Sequence, residues 1–285
     1  MIVHCKRSDS SAAAHAESRI GAANRFPDKC DADPEAARAL NVEATKSLAK
    51  AASSQGIFLI YISTDYVFPG KPGEAPYENH ASTQPPNLYG QTKLDGEKVT
   101  LEENKEKHLG VVLRVPVLYG AATNPGESAV NVLSDKVWKA QEKDAKIDMD
   151  DWAQRYPTNT EDVGRICKDI AVKYTEASES ERAQMPKVLQ FSSEDRYTKY
   201  GICKMMAEIL GLPLDGMVAV KEGSAPGTGV QRPYDTHLST KALKDLGVDV
   251  WTQNFTAWWY VTCPVNLCHE VLISTRRREL HAFRH

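Results

Sequence analysis

Ile57-Phe58-Leu59-Ile60-Tyr61-Ile62-Ser63-Thr64-Asp65-Tyr66-Val67-Phe68, followed beyond a proline-bearing turn by Asn87-Leu88-Tyr89-Gly90-Gln91-Thr92-Lys93-Leu94-Asp95-Gly96, is the stretch whose reading decides the fold. The run from Ile57 to Ile62 is apolar at successive positions, as a strand covered on both faces should be. A helix after it would place Tyr89 and Lys93, four residues apart, on one face. A lysine beside a tyrosine favours the phenolate, and a hydroxyl on the preceding strand can hydrogen-bond the same carbonyl oxygen. Thr64, Tyr89 and Lys93 together therefore suit carbonyl reduction by a nicotinamide.

Spacing alone is weak evidence. With 11 tyrosines in the chain, about one Tyr-x-x-x-Lys match is expected by chance, and Tyr200 to Lys204 is a second one. It lies in an amphipathic stretch with Ile202, Met205, Met206 and Ile209 at core spacing, and no hydroxyl-bearing strand end precedes it. That match reads as structural.

Working outward, Asp33-Pro34 signals a helix start, and Leu40, Ala44, Leu48 and Ala52 recur at helical spacing until Gly56. Gly110 to Val115 reads as a second buried strand. Glu127 to Lys139 is expected to be helical with Val130, Leu133 and Val137 inward, and Thr160 to cap a helix with Val163, Ile166 and Ile170 on one face. Lys187 to Phe191 reads as a strand, Thr198 to Leu210 as a helix stopped by Gly211 and Pro213, and Thr240 to Leu246 as a short helix. Lys6 to Asn24 is polar and without clear periodicity and is read as loop or disorder. Beyond Val250, Trp251, Trp258, Trp259 and Tyr260 crowd together with neither helical nor strand period. Strands alternating with helices imply a doubly wound parallel sheet, with ligands at the carboxyl ends of its strands.

The 285 residues suffice for one large domain or two small ones. A net charge of -3 gives no basic footprint for nucleic acid, and Arg276-Arg277-Arg278 reads as a solvated patch. No stretch approaches the length of a membrane span. The six scattered cysteines and the lack of a leader pattern are read as a reducing, cytoplasmic setting. Cys263, Cys268 and His269 fit no zinc template, so no metal is expected.

Ser63 to Phe68, Asn87 to Glu97 and Leu113-Arg114-Val115-Pro116-Val117-Leu118-Tyr119-Gly120 together resemble the extended short-chain dehydrogenase/reductase family, and within it the dTDP-4-dehydrorhamnose reductase branch. The resemblance is stronger still to the regulatory beta subunits of methionine adenosyltransferase, carried also by Val3-His4-Cys5, Asn41-Val42, Trp152-Ala153-Gln154-Arg155-Tyr156-Pro157-Thr158 and Gln231-Arg232-Pro233. It implies a Rossmann-like α/β fold. Residues 1–150 would form an NAD(P)-binding domain, 151–250 a smaller substrate-domain-like part interleaved with it, and 251–285 an atypical tail.

By the same resemblance, Thr64, Tyr89 and Lys93 take the positions of the reductase triad, and Tyr89 and Lys93 meet the nicotinamide ribose of NADP. Val117 and Leu118 lie beside the nicotinamide, Cys5 closes a strand whose end faces the cofactor, and Arg25 takes the basic position after that strand. The implied function is a non-catalytic subunit that binds the catalytic subunit of methionine adenosyltransferase and modulates S-adenosylmethionine synthesis. The alternative is an NADPH-dependent reductase of a nucleotide-linked 4-keto sugar.

The chain departs from the pattern in having no Gly-x-x-Gly-x-x-Gly turn, whose helix would hold the pyrophosphate. Met1 to Cys5 resembles the family's fourth strand, so the first three strands and two helices are expected to be missing. This gives a third reading, an incomplete non-functional variant.

Overall fold

The computed structural model describes residues 2–5, 25–225 and 229–262. In order, the chain forms β1 (Ile2–Cys5), α1 (Pro27–Ala32), α2 (Pro34–Arg38), α3 (Ala44–Ser54), β2 (Phe58–Thr64), α4 (Leu88–Glu103), β3 (Gly110–Val115) and β4 (Leu118–Tyr119). It continues through α5 (Leu133–Lys139), β5 (Ile147–Asp150), β6 (Thr158–Asn159), α6 (Thr160–Glu176), α7 (Glu179–Gln184), β7 (Val188–Gln190), α8 (Lys199–Leu210), β8 (Met217–Val220) and α9 (Lys241–Asp245). Residues 255–262 add a last helical segment.

Strand β2 is buried at every position because both its faces are covered. Phe58, Ile60 and Ile62 face one core with Val163, Ile166 and Ile170 of α6, while Leu59 and Tyr61 face another with Ala49 and Ala52 of α3. The strands run β1-β2-β3-β7 in one sheet, with β2, β3 and β7 parallel. Helices on both faces of a parallel sheet are the doubly wound, Rossmann-like arrangement that the apolar runs imply. The two buried faces of each such strand explain why its sequence shows no alternation.

A second core gathers Val130, Leu133 and Val137 with Met149, Ile202, Met206, Met217, Phe255 and Trp259. It underlies α5, α8 and the parallel pair β5–β8.

Four expectations need correction: besides the three that follow, α6 is capped by Asn159, which accepts from Glu161 N–H at 2.8 Å, and not by Thr160. First, β1 lies beside β2 but runs antiparallel to it, pairing Ile2 with Tyr61 and Cys5 with Phe58. Second, the helix expected from Glu127 starts only at Leu133. The Ser128 hydroxyl accepts from Val130 and Asn131 N–H, both at 3.1 Å, and donates to the Leu118 carbonyl at 2.8 Å, holding a turn in place of the first helical turns. Third, 255–262 is helical. Asn254 caps it by accepting from Ala257 N–H at 2.8 Å, and Phe255 and Trp259 are buried in the second core. Trp251 is instead exposed beneath the Arg165 guanidinium, 4.7 Å from its ring centre.

Among the described residues no helix is long and apolar enough to cross a membrane, and no three metal-ligating side chains are grouped. Cys263, Cys268, His269 and the Arg276 to Arg278 run lie outside the described residues.

Candidate functional site

Thr64 closes β2 in register with Val115, the last residue of β3, so both strands end at one rim. Its hydroxyl oxygen accepts from Tyr66 N–H at 3.2 Å, which turns the chain sharply away from the sheet. Helix α4 then begins where Asn87 accepts from Gly90 N–H at 2.9 Å and donates to the Gln231 carbonyl at 2.8 Å. A Cβ on Gly90 would lie 2.2 Å from the Tyr66 carbonyl oxygen. Glycine there lets the first turn of α4 press onto the chain after Thr64.

That approach brings Tyr89 near Thr64, whose own hydroxyl donates to Asp65 at 3.0 Å. Tyr66 packs edge-on to Tyr89 with ring centres 5.8 Å apart. Burial pushes the Tyr89 phenol well above its ordinary value; the Thr64 hydroxyl opposes this, while Asp65, Tyr66 and Cys30 add to it.

Lys93 is buried one turn further along α4. Its Nζ donates to the Ile62 carbonyl at 2.8 Å and sits 4.1 Å over the Tyr61 ring. Burial drives the amine down to about 7, with Glu97 pulling the other way. The lysine's head is held by the strand backbone and over the Tyr61 ring.

Beneath this lies an ion pair. Arg114 donates to Glu97 through Nε at 2.9 Å and Nη2 at 2.8 Å, and the Ser63 hydroxyl donates to the same carboxylate at 2.5 Å. Both partners are almost fully buried. Asp65 accepts from Thr64 at 3.0 Å and from Thr236 at 2.5 Å, and burial raises its carboxyl pKa.

The remaining predicted positions separate. Val117 and Leu118 follow β3 at the same rim, where Val117 O accepts from Thr158 N–H at 3.0 Å and Leu118 pairs with Thr158 in β4–β6. Arg25 reaches the segment beyond them, donating to the carbonyls of Glu127 and, at 3.1 Å, Gly126. Cys5 is not brought to this rim. Its antiparallel register puts it beside Phe58, at the far end of β2 from Thr64.

A cleft of about 420 Å³ opens beside the β5–β8 pair, lined by Asp148, Asp150, Trp152, Lys199, Glu222 and Arg232 among others. Burial, followed by Arg155 and Arg232, lowers the Lys199 pKa.

The family model of the RmlD substrate binding domain matches residues 20–258. The chain belongs to that family. It is 41% identical over 231 residues to methionine adenosyltransferase 2 subunit beta of Rattus norvegicus, covering 80% of this chain and 64% of that protein. It thus spans less than two thirds of the length of the first curated relatives it matches. In fold it is similar to a dTDP-4-dehydrorhamnose reductase from Clostridium acetobutylicum, with a TM-score of 0.69 at 21% identity over 87% of this chain and 79% of that one. It is also similar to the Bacillus anthracis enzyme solved in complex with NADP, with a TM-score of 0.68 at 19% identity over 84% and 76%.

Within this RmlD-type frame, reading the sequence singled out the Thr64 and Tyr89 pair but not Glu97, Arg114 or Asp65. A signal for the ion pair existed. Arg114 interrupts an otherwise apolar buried strand, and Glu97 lies one turn beyond Lys93 on the helix that covers it.

Proposed function

We propose that the chain is a regulatory, non-catalytic subunit of methionine adenosyltransferase that binds the catalytic subunit and modulates S-adenosylmethionine synthesis. The observation that carries this reading is the 40% to 41% identity to methionine adenosyltransferase 2 subunit beta proteins over 80% of the chain. The raised Tyr89 phenol and the inward-turned Lys93 amine support a site kept for binding rather than for proton transfer. Mixing experiments test it: co-purification with the catalytic subunit and a shift in that subunit's methionine saturation are expected. The absence of both would reject the assignment.

The cofactor we assign is NADP, held at its nicotinamide end. Thr64, Tyr89, Val117 and Leu118 border one rim, and two hydroxyls at that rim suit a ribose or carboxamide. When bound, the group would supply hydride chemistry. Lys93 would have to exchange the Ile62 carbonyl for a ribose hydroxyl. Calorimetric titration with NADP(H) checks this, with a saturable heat expected that weakens in Tyr89→Phe.

A second reading, an NADPH-dependent reductase of a nucleotide-linked 4-keto sugar, is favoured by the placing of Tyr89, at the start of α4, beside the β2 end that carries Thr64. In it Tyr89 gives its proton to the carbonyl oxygen that Thr64 polarises. NADPH oxidation with a dTDP-4-keto-6-deoxy sugar, abolished by Tyr89→Phe, would favour it over the first.

A further inference from the structure

Residues 25–32 pack against α4 and are tied at two side chains. Arg25 is tied to the carbonyls of Gly126 and Glu127. Cys30 is fully buried. Asp28 accepts from Arg232 Nη2 at 2.8 Å. Helix α1 itself is only six residues long, and its N-cap Phe26 makes no side-chain capping bond. So short a helix has little stability of its own, and its seat depends on such contacts.

Arg232 also belongs to the wall of the 420 Å³ cleft, with Lys199 and Trp152. The charge of Asp28 reaches Lys199 as well. One guanidinium therefore serves both the helix packed on α4 and the cleft.

We propose that the Asp28–Arg232 pair is a latch between the two: a ligand oxyanion that takes Arg232 in the cleft releases Asp28, and α1 lifts from α4. An oxyanion is the fitting chemistry because a guanidinium offers it paired planar donors and Lys199 lies in the same wall. Asp148, Asp150 and Glu222 line the cleft too, so the rest of such a ligand presents hydrogen-bond donors to them. Asp150 already accepts from Trp152 and Ala153 N–H at 2.9 Å each. Both latch side chains are partly exposed. A pair of that kind is weak enough to be exchanged, and its loss should shift the opening of α1 by about two- to five-fold.

Cys30 provides the readout, independent of the partner and cofactor readings. A fully buried thiol reacts only from an opened state, so its alkylation rate follows how often α1 lifts. Iodoacetamide labelling of the full chain, mapped by peptide mass spectrometry, compares Cys30 with Cys167 and Cys203, which lie in the two larger cores. At ionic strength matched with sodium chloride, inorganic phosphate should speed labelling of Cys30 about two- to five-fold and leave the other two unchanged. Asp28→Asn and Arg232→Gln should each give a similar gain without phosphate, and phosphate should add nothing to either. The latch is overturned if phosphate does no more than chloride, if Asp28→Asn leaves Cys30 labelling as it was, or if all three cysteines accelerate together.

Discussion

Tyr89–Lys93 and Tyr200–Lys204 have the same spacing and opposite surroundings. On α4 the lysine is buried, bonded to the β2 backbone and stacked on Tyr61, and the tyrosine meets a threonine at the strand's end. On α8 the lysine is exposed, and the tyrosine packs against the second core. Both helices start with a side chain accepting from the N–H three residues on, so capping does not distinguish them. What does is the strand beneath α4, whose carboxyl end carries Thr64, and the glycines that let α4 approach it. A four-residue spacing thus acquires chemical meaning only from the element it is laid upon.

The largest expected effect comes from removing what anchors α4. Glu97→Ala leaves Arg114 buried and uncompensated and should cost about 3–5 kcal/mol in urea unfolding. On α8, Glu208→Ala is an exposed change expected to stay within about 0.5 kcal/mol. Near-equal costs would erase the contrast.

Gly96→Ala comes next. Its Cβ would fall 2.2 Å from the Tyr61 hydroxyl and 2.9 Å from the Asn41 carbonyl oxygen. Overpacking of this sort costs about 1–3 kcal/mol. A lowered unfolding midpoint is expected, partly restored when Tyr61→Phe removes the hydroxyl; a neutral result would mean α4 is not seated so tightly.

The third test uses pH. Lys93 falls from an ordinary 10.5 to about 7 on folding. Between those values the unfolded chain binds a proton that the folded chain does not, so stability rises with pH, and the penalty is fully present below the folded value. The slope from this one group is at most about 1.4 kcal/mol per pH unit. Lys199 and Lys187 are lowered too, so Lys93→Met should shrink the rise between pH 7 and 9 rather than abolish it. Lys204→Met should leave it intact. Denaturant titrations at several pH values read the difference.

Smallest are the caps. Asn87→Ala and Thr198→Ala should each cost about 1 kcal/mol. Any difference between them measures what each side chain does besides capping, Asn87 toward the Gln231 carbonyl and Thr198 toward Asp151.

The legible parts of the fold were those with one-sided physics. Strands β2 and β3 are covered on both faces and read as unbroken apolar runs, and α6 and α8 turn one stripe to a core. The pairs β4–β6 and β5–β8 are short. Met149 is the buried position in Ile147–Asp150, which leaves nothing periodic to see. The direction of β1 is set by its pairing with β2, which its own residues do not encode. The segment 255–262 does place Phe255, Trp258 and Trp259 at helical spacing, yet two turns are too short to stand out among so many aromatics. At the site, the Thr64–Tyr89 pairing was readable from strand end and helix start. The orientation of Lys93 was not, since it depends on a carbonyl and a ring that spacing does not reveal.

The Trp258 and Trp259 rings stand nearly perpendicular, 5.0 Å apart, and Tyr119 is packed edge-on to the first of them. Coupled chromophores locked at a fixed angle should make near-ultraviolet circular dichroism a built-in gauge of the second core. Its fading while the far-ultraviolet signal persists would expose a state that keeps its helices but has lost its side-chain order.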